Sequence, residues 1–188
     1  MSIQSRRERE RAERERLIVT AARDLAETEG WDAVTTRRLA AEIEYSQPVL
    51  YSHFKGKDAI LAAVAVEGCA ELAADLRAAR TAASGLALAD VAAAYAAFAE
   101  RRPALYDAMF TLAVDLPFAT PEAPAPLKDA FGELRETVRP IAGDDDVEVL
   151  TELFWSGLHG LLTLMRNGRM RREDHERRLA LFLKRFSG

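Results

Sequence analysis

Apolar and polar residues do not alternate with a period of two in this chain; apolar positions return every three or four residues instead. That spacing belongs to helices laid on a core, and it leaves no amphipathic strand from which a sheet could be built. Ala, Leu, Glu and Arg, all strong helix formers, recur throughout. The expected fold class is therefore all-α.

The same spacing, with Gly and Pro as punctuation, predicts about nine helices. The first covers about 8–29, with Leu17, Ile18, Ala21, Ala22, Leu25 and Ala26 on one face and Gly30 as its stop. Trp31 and Val34 fall in a connector and can pack into a small core. Thr35 is the expected N-cap of a second helix whose apolar face is Leu39, Ala40 and Ile43. Glu44–Tyr45 is a turn, and Ser46 is expected to cap a third helix with Pro48 in its first turn. Val49, Leu50 and Phe54 are expected to face inward. Further helices are expected at 57–80, 86–101, 103–115, 128–139, 147–167 and 171–186, with a Pro-rich extended loop over 117–126. The acids of 144–146 suit the positive end of the 147–167 helix.

The third helix is too polar to be ordinary core. Ser46, Gln47, Tyr51, Ser52 and His53 crowd it, and Lys55 and Lys57 follow. Such groups suit phosphate oxygens and base edges, and a short polar helix braced by a preceding one is how a helix-turn-helix meets a major groove. Gln47 can pair with adenine through two hydrogen bonds, and Pro48 and Val49 can touch a thymine methyl. His53 can reach a phosphate or serve as a half-buried packing residue. Bulk charge gives little help. The net charge is −4; residues 1–57 hold 11 Lys/Arg against 10 Asp/Glu, and residues 58–188 hold 15 against 20. Binding must then depend on where the cations point. Among them, Arg6 and Arg7 precede the Arg/Glu run and are candidates for an arm entering the minor groove, whereas residues 8–16, with alternating signs, read as a solvated helix with internal ion pairs.

Thr35, Leu39-Ala40, Ser46, Leu50-Tyr51, His53-Phe54, Lys57 and Ile60-Leu61, at these spacings, resemble the N-terminal domain of the TetR (tetracycline-repressor-like) family over residues 12–61. The resemblance implies a three-helix DNA-binding domain over 1–57 and a helical ligand-binding and dimerisation domain over 58–188. It implies that Thr35 and Tyr51 hydrogen-bond phosphates, that Lys57 meets the DNA backbone, and that Ser46, Gln47, Pro48 and Ser52 line the groove. Thr36, Arg37, Val49 and His53 complete the expected DNA-facing set. Two positions depart from the family pattern. Glu44 stands where glycine is usual and Tyr45 where a small aliphatic residue is usual. Glutamate in a left-handed backbone position costs about 1 kcal/mol, so either the turn has another geometry or some stability is sacrificed.

Within the 147–167 helix, Trp155-Ser156-Gly157-Leu158-His159-Gly160 places Trp155 and His159 on one face. Gly157, Gly160 and Thr163 are small enough to admit a neighbouring helix. This W-x-x-x-H-G pattern resembles the WHG-type C-terminal ligand-binding domain of some TetR-like regulators. His159 is either a pocket wall or a packing residue. With Trp155 and His159, the residues Tyr95, Phe98, Tyr106, Met109, Phe110 and Leu162 are candidates to enclose a small apolar or aromatic effector. Leu179, Leu183 and Phe186 give the last helix an apolar side, and the last two helices are the expected homodimer seam.

Other functions find little support. There is no Gly-rich phosphate loop, no G-x-S-x-G and no H-E-x-x-H, so no catalytic residue is expected. Cys69, His53, His159 and His175 lack metal-site spacing, so neither a metal nor a cofactor is expected. One cysteine excludes an internal disulfide and fits a cytoplasmic protein. The charged N-terminus is not a signal peptide, and no apolar run suits a membrane span. The expected partners are a double-stranded palindromic operator, a small-molecule effector and a second copy of the chain, acting together as a repressor. The alternative is a helical ligand-binding protein or enzyme whose DNA-binding module has degenerated, with Glu44 as its main support.

Overall fold

The computed structural model describes residues 3–186. Among them there are nine α-helices and no strand: α1 (Ile3–Glu29), α2 (Thr36–Glu42), α3 (Gln47–His53), α4 (Lys57–Ala82), α5 (Leu88–Arg101), α6 (Pro103–Phe110), α7 (Ala125–Val138), α8 (Val147–Arg166) and α9 (His175–Phe186). The all-helical reading holds, and several boundaries shift. α1 begins at Ile3, earlier than expected, because Arg6 pairs with Glu10 and Arg11 with Glu15 at i, i+4. Arg6 is thus part of a helix and not of a loose arm. α6 ends at Phe110 and not near Asp115; the chain closes there with the amides of Thr111 and Leu112 both donating to the Asp107 carbonyl. Pro124 is the N-cap of α7, so the helix begins inside the Pro-rich segment. The last helix starts at His175, after a 3-10 turn over Arg172–Asp174.

The chain packs as two compact units. One comprises the residues up to Gly68 with Arg102–Ala123; the other comprises Cys69–Arg101 with the residues from Pro124 onward. The first is built on α1, whose Ile18, Val19, Ala22, Leu25 and Ala26 are buried with Val34, Leu39, Leu50, Ile60 and Leu105. α6 joins it through two polar contacts. Arg102 provides no side-chain cap for α6; the Glu27 carboxylate accepts from the Ala104 and Leu105 amides at 3.2 and 3.0 Å instead. An acid at a helix N-terminus also meets the positive end of its dipole. The Trp31 indole N–H donates to the Ala104 carbonyl at 2.8 Å. Packing therefore parts the chain elsewhere than at residue 57. In the same unit Gly68 lets α4 approach α6, since a Cβ there would lie 2.6 Å from Met109 Sδ and 2.9 Å from Leu105 Cδ1.

The second unit packs α5, α7 and α9 on α8. Asp146 caps α8, accepting from the Glu148 and Val149 amides. Phe154 stacks with Phe182 of α9 at a centroid separation of 5.9 Å and meets Phe186 at a tilt at 5.1 Å. Phe186, expected on an outward apolar side, thus turns into its own chain. The buried Glu133 carboxylate is gripped by Arg77 at 2.6 Å and by Arg80 at 2.7 and 2.9 Å. Burial would raise its pKa, but the two guanidinium groups hold it below the usual carboxylate range.

Candidate nucleic-acid interface and effector site

α3 has one inward anchor and an outward polar face. Leu50 is fully buried, while Val49 is 39% and Tyr51 51% exposed. Ser46, Gln47, Pro48 and Ser52 are exposed as well. Val49, expected to face inward, points out because a seven-residue helix on a small core has room for a single buried residue in this stretch. Ser46 sits at the N-cap position but its hydroxyl makes no capping bond; its carbonyl accepts from Val49 and Leu50. The Ser52 hydroxyl is turned back to the Val49 carbonyl at 2.6 Å.

The turn that aims α3 closes on Glu44. Its amide donates to the Ala41 carbonyl at 3.2 Å and the Tyr45 amide donates to the Ala40 carbonyl at 2.8 Å. These two bonds are the paired reverse bonds of a helix end, and they require a left-handed residue between them. Glu44 supplies it with φ of 56°. The geometry usual for glycine is kept although the residue is not glycine.

α2 supports the same face. The Thr35 hydroxyl accepts from the Arg38 amide at 3.2 Å as its N-cap. The Thr36 and Tyr51 hydroxyls share a hydrogen bond at 3.3 Å, linking α2 to α3. Arg37 is exposed. Arg38 is committed to Glu29 of α1, one of its two bonds spanning 2.8 Å.

Two expected phosphate ligands are engaged inside the protein. The Lys57 ammonium donates to the Trp31 carbonyl at 2.6 Å. The His53 side chain is only 6% exposed and lies 3.5 Å from the Glu15 carboxylate, because the last turn of α3 rests on α1. It is placed to brace α3 and not to project from it. The residues that hold it went unnoticed in the sequence: Glu15 is also paired with Arg11 at 2.8 Å, and an Arg11 nitrogen lies 3.5 Å from the Ser52 carbonyl. Their only sequence signal was the Arg/Glu alternation, which gives no hint of a partner about forty residues away.

The eight effector candidates fall into one group in each unit. In the second unit, the Trp155 indole donates to the Tyr95 hydroxyl at 3.0 Å, and the Trp155 and His159 rings lie 6.0 Å apart. His159 Nε2 is 3.4 Å from the Thr163 hydroxyl. Burial, and then the charge of Arg166, push the His159 pKa below its ordinary value, so the imidazole is neutral at neutral pH. Phe98 and Leu162 are buried there. In the first unit Tyr106 and Phe110 meet edge to face at 5.0 Å, and Met109 faces Gly68. An open cleft of about 530 Å³ lies instead between α1 and α2, lined by residues that include Leu17, Asp24, Arg38, Ile43 and Glu44. None of the eight lines it.

Among the described residues no group of three or more His, Cys, Asp or Glu is arranged to hold a metal. No helix there is long and apolar enough to cross a membrane. Cys69 is buried, and burial pushes its thiol up to about 12.

Residues 18–64 match the family described as bacterial regulatory proteins, tetR family. Residues 88–186, just over half of the chain, match the tetracyclin repressor-like C-terminal domain. The chain is similar to the tetracycline repressor protein class D of Escherichia coli, 46% identical over 50 residues that make up 27% of this chain and 23% of that one. It is also similar to an uncharacterized HTH-type transcriptional regulator, YobS, of Bacillus subtilis, 34% identical over 95 residues and half of each chain. The chain therefore matches between 23% and 50% of these relatives' length. Its fold is shared with a TetR-family transcriptional regulator from Pectobacterium atrosepticum, with a TM-score of 0.70, 20% identity, and 93% and 91% of the two chains covered.

Proposed function

Because the chain belongs to the TetR family of DNA-binding transcriptional regulators, we propose that it is a homodimeric repressor released from a palindromic operator by a small apolar or aromatic effector. The observation that carries the DNA-binding part is the exposed face of α3, where Gln47, Pro48, Val49, Tyr51 and Ser52 surround a single buried anchor, Leu50. Gln47 and Pro48 read bases, and Thr36 and Tyr51 offer adjacent hydroxyls to one stretch of phosphates. Thr35, Arg37 and Ser46 lie on or beside the same exposed region, with Lys57 and His53 holding the elements in place. Residues 1–57 do the reading and 58–188 the sensing and pairing. The protein works where the chromosome is, in the cytoplasm.

Support for pairing through α8 and α9 comes from their outer faces. Val149, Leu153, Leu164 and Leu181 are each between 41% and 58% exposed. The three on α8 share one side of the helix with Ser156 and Gly160, and a Cβ at Gly160 would meet nothing within 4 Å. Apolar residues around a small-residue gap favour close approach by a second copy, and a two-fold pair implies a two-fold operator. Support for an effector site comes from Tyr95, Phe98, Trp155, His159 and Leu162, an aromatic cluster with a neutral imidazole. The single helix α4 runs from Lys57 to Ala82 through both compact units. An effector that favours one course of α4 alters the separation of two reading helices, by differential affinity of several kcal/mol for the unfit state. Glu44 no longer favours a degenerate DNA-binding module, because the turn keeps its geometry.

The test is selection of bound duplexes from random sequence, followed by binding assays with Tyr51→Ala and Gln47→Ala. A recovered palindrome, weakened binding by both variants and an intact dimer are expected. Recovery of no sequence, or unchanged affinity in both variants, overturns the reading.

A further inference from the structure

The buried stripe of α1 does not end where the core ends. Ile18, Ala22 and Leu25 are buried, and stepping back along the same face by four, seven and eleven residues from Ile18 reaches Arg14, Arg11 and Arg7. An apolar stripe thus becomes a guanidinium stripe within one continuous helix that starts at Ile3. The stripe has a fixed position relative to α3, because Arg11 contacts the Ser52 carbonyl at the C-terminal end of α3. Arg7 lies a further turn out, about 6 Å along the axis. The charges of Arg7 and Arg14 both act on the Glu10 carboxylate, which is held by Arg6 at 2.9 Å. Arg7 and Arg14 are exposed.

We propose that Arg7 and Arg14 form a phosphate-binding ledge on α1 that grips the duplex outside the stretch read by α3. This rests on the DNA-binding reading above and adds to it a rigid helical grip in place of a loose minor-groove arm. A guanidinium carried on a helix held to α3 makes its phosphate contact at a fixed distance from the read bases, so it sets register as well as affinity. The short acidic excess elsewhere in the chain does not oppose it, since contacts of this kind depend on local placement.

The experiment compares four forms of the full chain on a selected duplex, in long and trimmed versions, across a range of salt concentrations: wild type, R7A/R14A, R7K/R14K and R16A. Arg16 lies on the opposite side of α1 and is exposed, so R16A changes charge without touching the ledge. Alanine favours helix, and circular dichroism checks that α1 persists. At about 0.9 per phosphate contact, loss of two contacts in each protomer lowers the slope of log K against log salt by about 3 to 4 in a dimer. R7A/R14A is expected to show that drop and to lose the wild type's preference for the long duplex. R7K/R14K is expected to keep the slope, and R16A to change it little. Equal slopes in R7A/R14A and wild type, or an equal drop in R16A, overturn the ledge while leaving DNA binding by α3 intact. If wild type selects no duplex, both readings fall together.

Discussion

The indole N–H of Trp155 donates to the hydroxyl of Tyr95 across 3.0 Å, joining α8 to α5 through two side chains sixty residues apart. Tyr95 is fully buried and Trp155 partly so, and such a polar pair contributes about 0.5–1.5 kcal/mol net. Trp155→Phe and Tyr95→Phe should each lower unfolding free energy in urea by about 1 kcal/mol. The double variant should lose less than the sum. Strict additivity in the cycle would show that the two groups do not act together.

Glu44 sits with φ of 56° between the two reverse bonds that close α2. An L-residue there carries a cost that glycine does not, about 1 kcal/mol. Glu44→Gly should raise the urea midpoint, and Glu44→Val should lower it, because β-branching makes the left-handed region less accessible still. A lower midpoint for the glycine variant would refute the assignment of strain to this residue.

Gly157 faces the Phe182 ring so closely that any Cβ would overlap it. The ring has little freedom to withdraw, since it is stacked on Phe154 and meets Phe186 at a tilt, 5.5 Å between centroids. Gly157→Ala should therefore cost about 1–3 kcal/mol by overpacking and loosen α9 from α8, seen as faster hydrogen exchange in α9. Adding Phe182→Leu should restore part of the loss. Gly160→Ala, with open space at its Cβ, should leave the isolated protomer's stability nearly unchanged; on the pairing proposed for α8, its effect should appear in dimer dissociation instead.

Glu133 gives a pH dependence of known sign. Its pKa in the folded chain lies below its unfolded value because Arg77 and Arg80 outweigh burial. The stability it contributes is present above the unfolded pKa of about 4.3 and is lost as pH falls through the folded value. Arg80→Ala, which leaves a buried carboxylate with one partner in place of two, should destabilise by about 1–3 kcal/mol at neutral pH. The deficit should shrink in acid, and a deficit that grows with acidification would reverse the assignment.

Periodicity made the longer core helices legible because they carry buried stripes: Ile18, Ala22 and Leu25 on α1, or Phe154, Leu158 and Leu162 on α8. The outward face of α3 was legible for the complementary reason, since Gln47 and Ser52 have nothing apolar to offer a core. The left-handed place of Glu44 was only implied by the family resemblance, which left a different turn geometry open; the φ of 56° decides between the two. What sequence could not show was commitment over distance. Lys57 and His53 have the chemistry of phosphate ligands, yet Trp31 and Glu15 occupy them. Glu27 looks like a surface acid on α1 and serves as the cap of α6, seventy-seven residues on. The alternating charges of 8–16 made that stretch of α1 legible as helix; Arg6 and Arg7, read as an arm, belong to the same helix, and Arg6 is paired to Glu10.

The hydroxyls of Thr36 and Tyr51 hold each other at 3.3 Å on an exposed surface. A tyrosine tethered in this way has surrendered most of its torsional freedom during folding, before any duplex arrives. Association then freezes little that was loose, and a phosphate oxygen that takes either proton leaves the second hydroxyl oriented beside it. Severing the tether with Thr36→Val would thus slow nothing in the approach of the two molecules but would shorten the life of the complex they form.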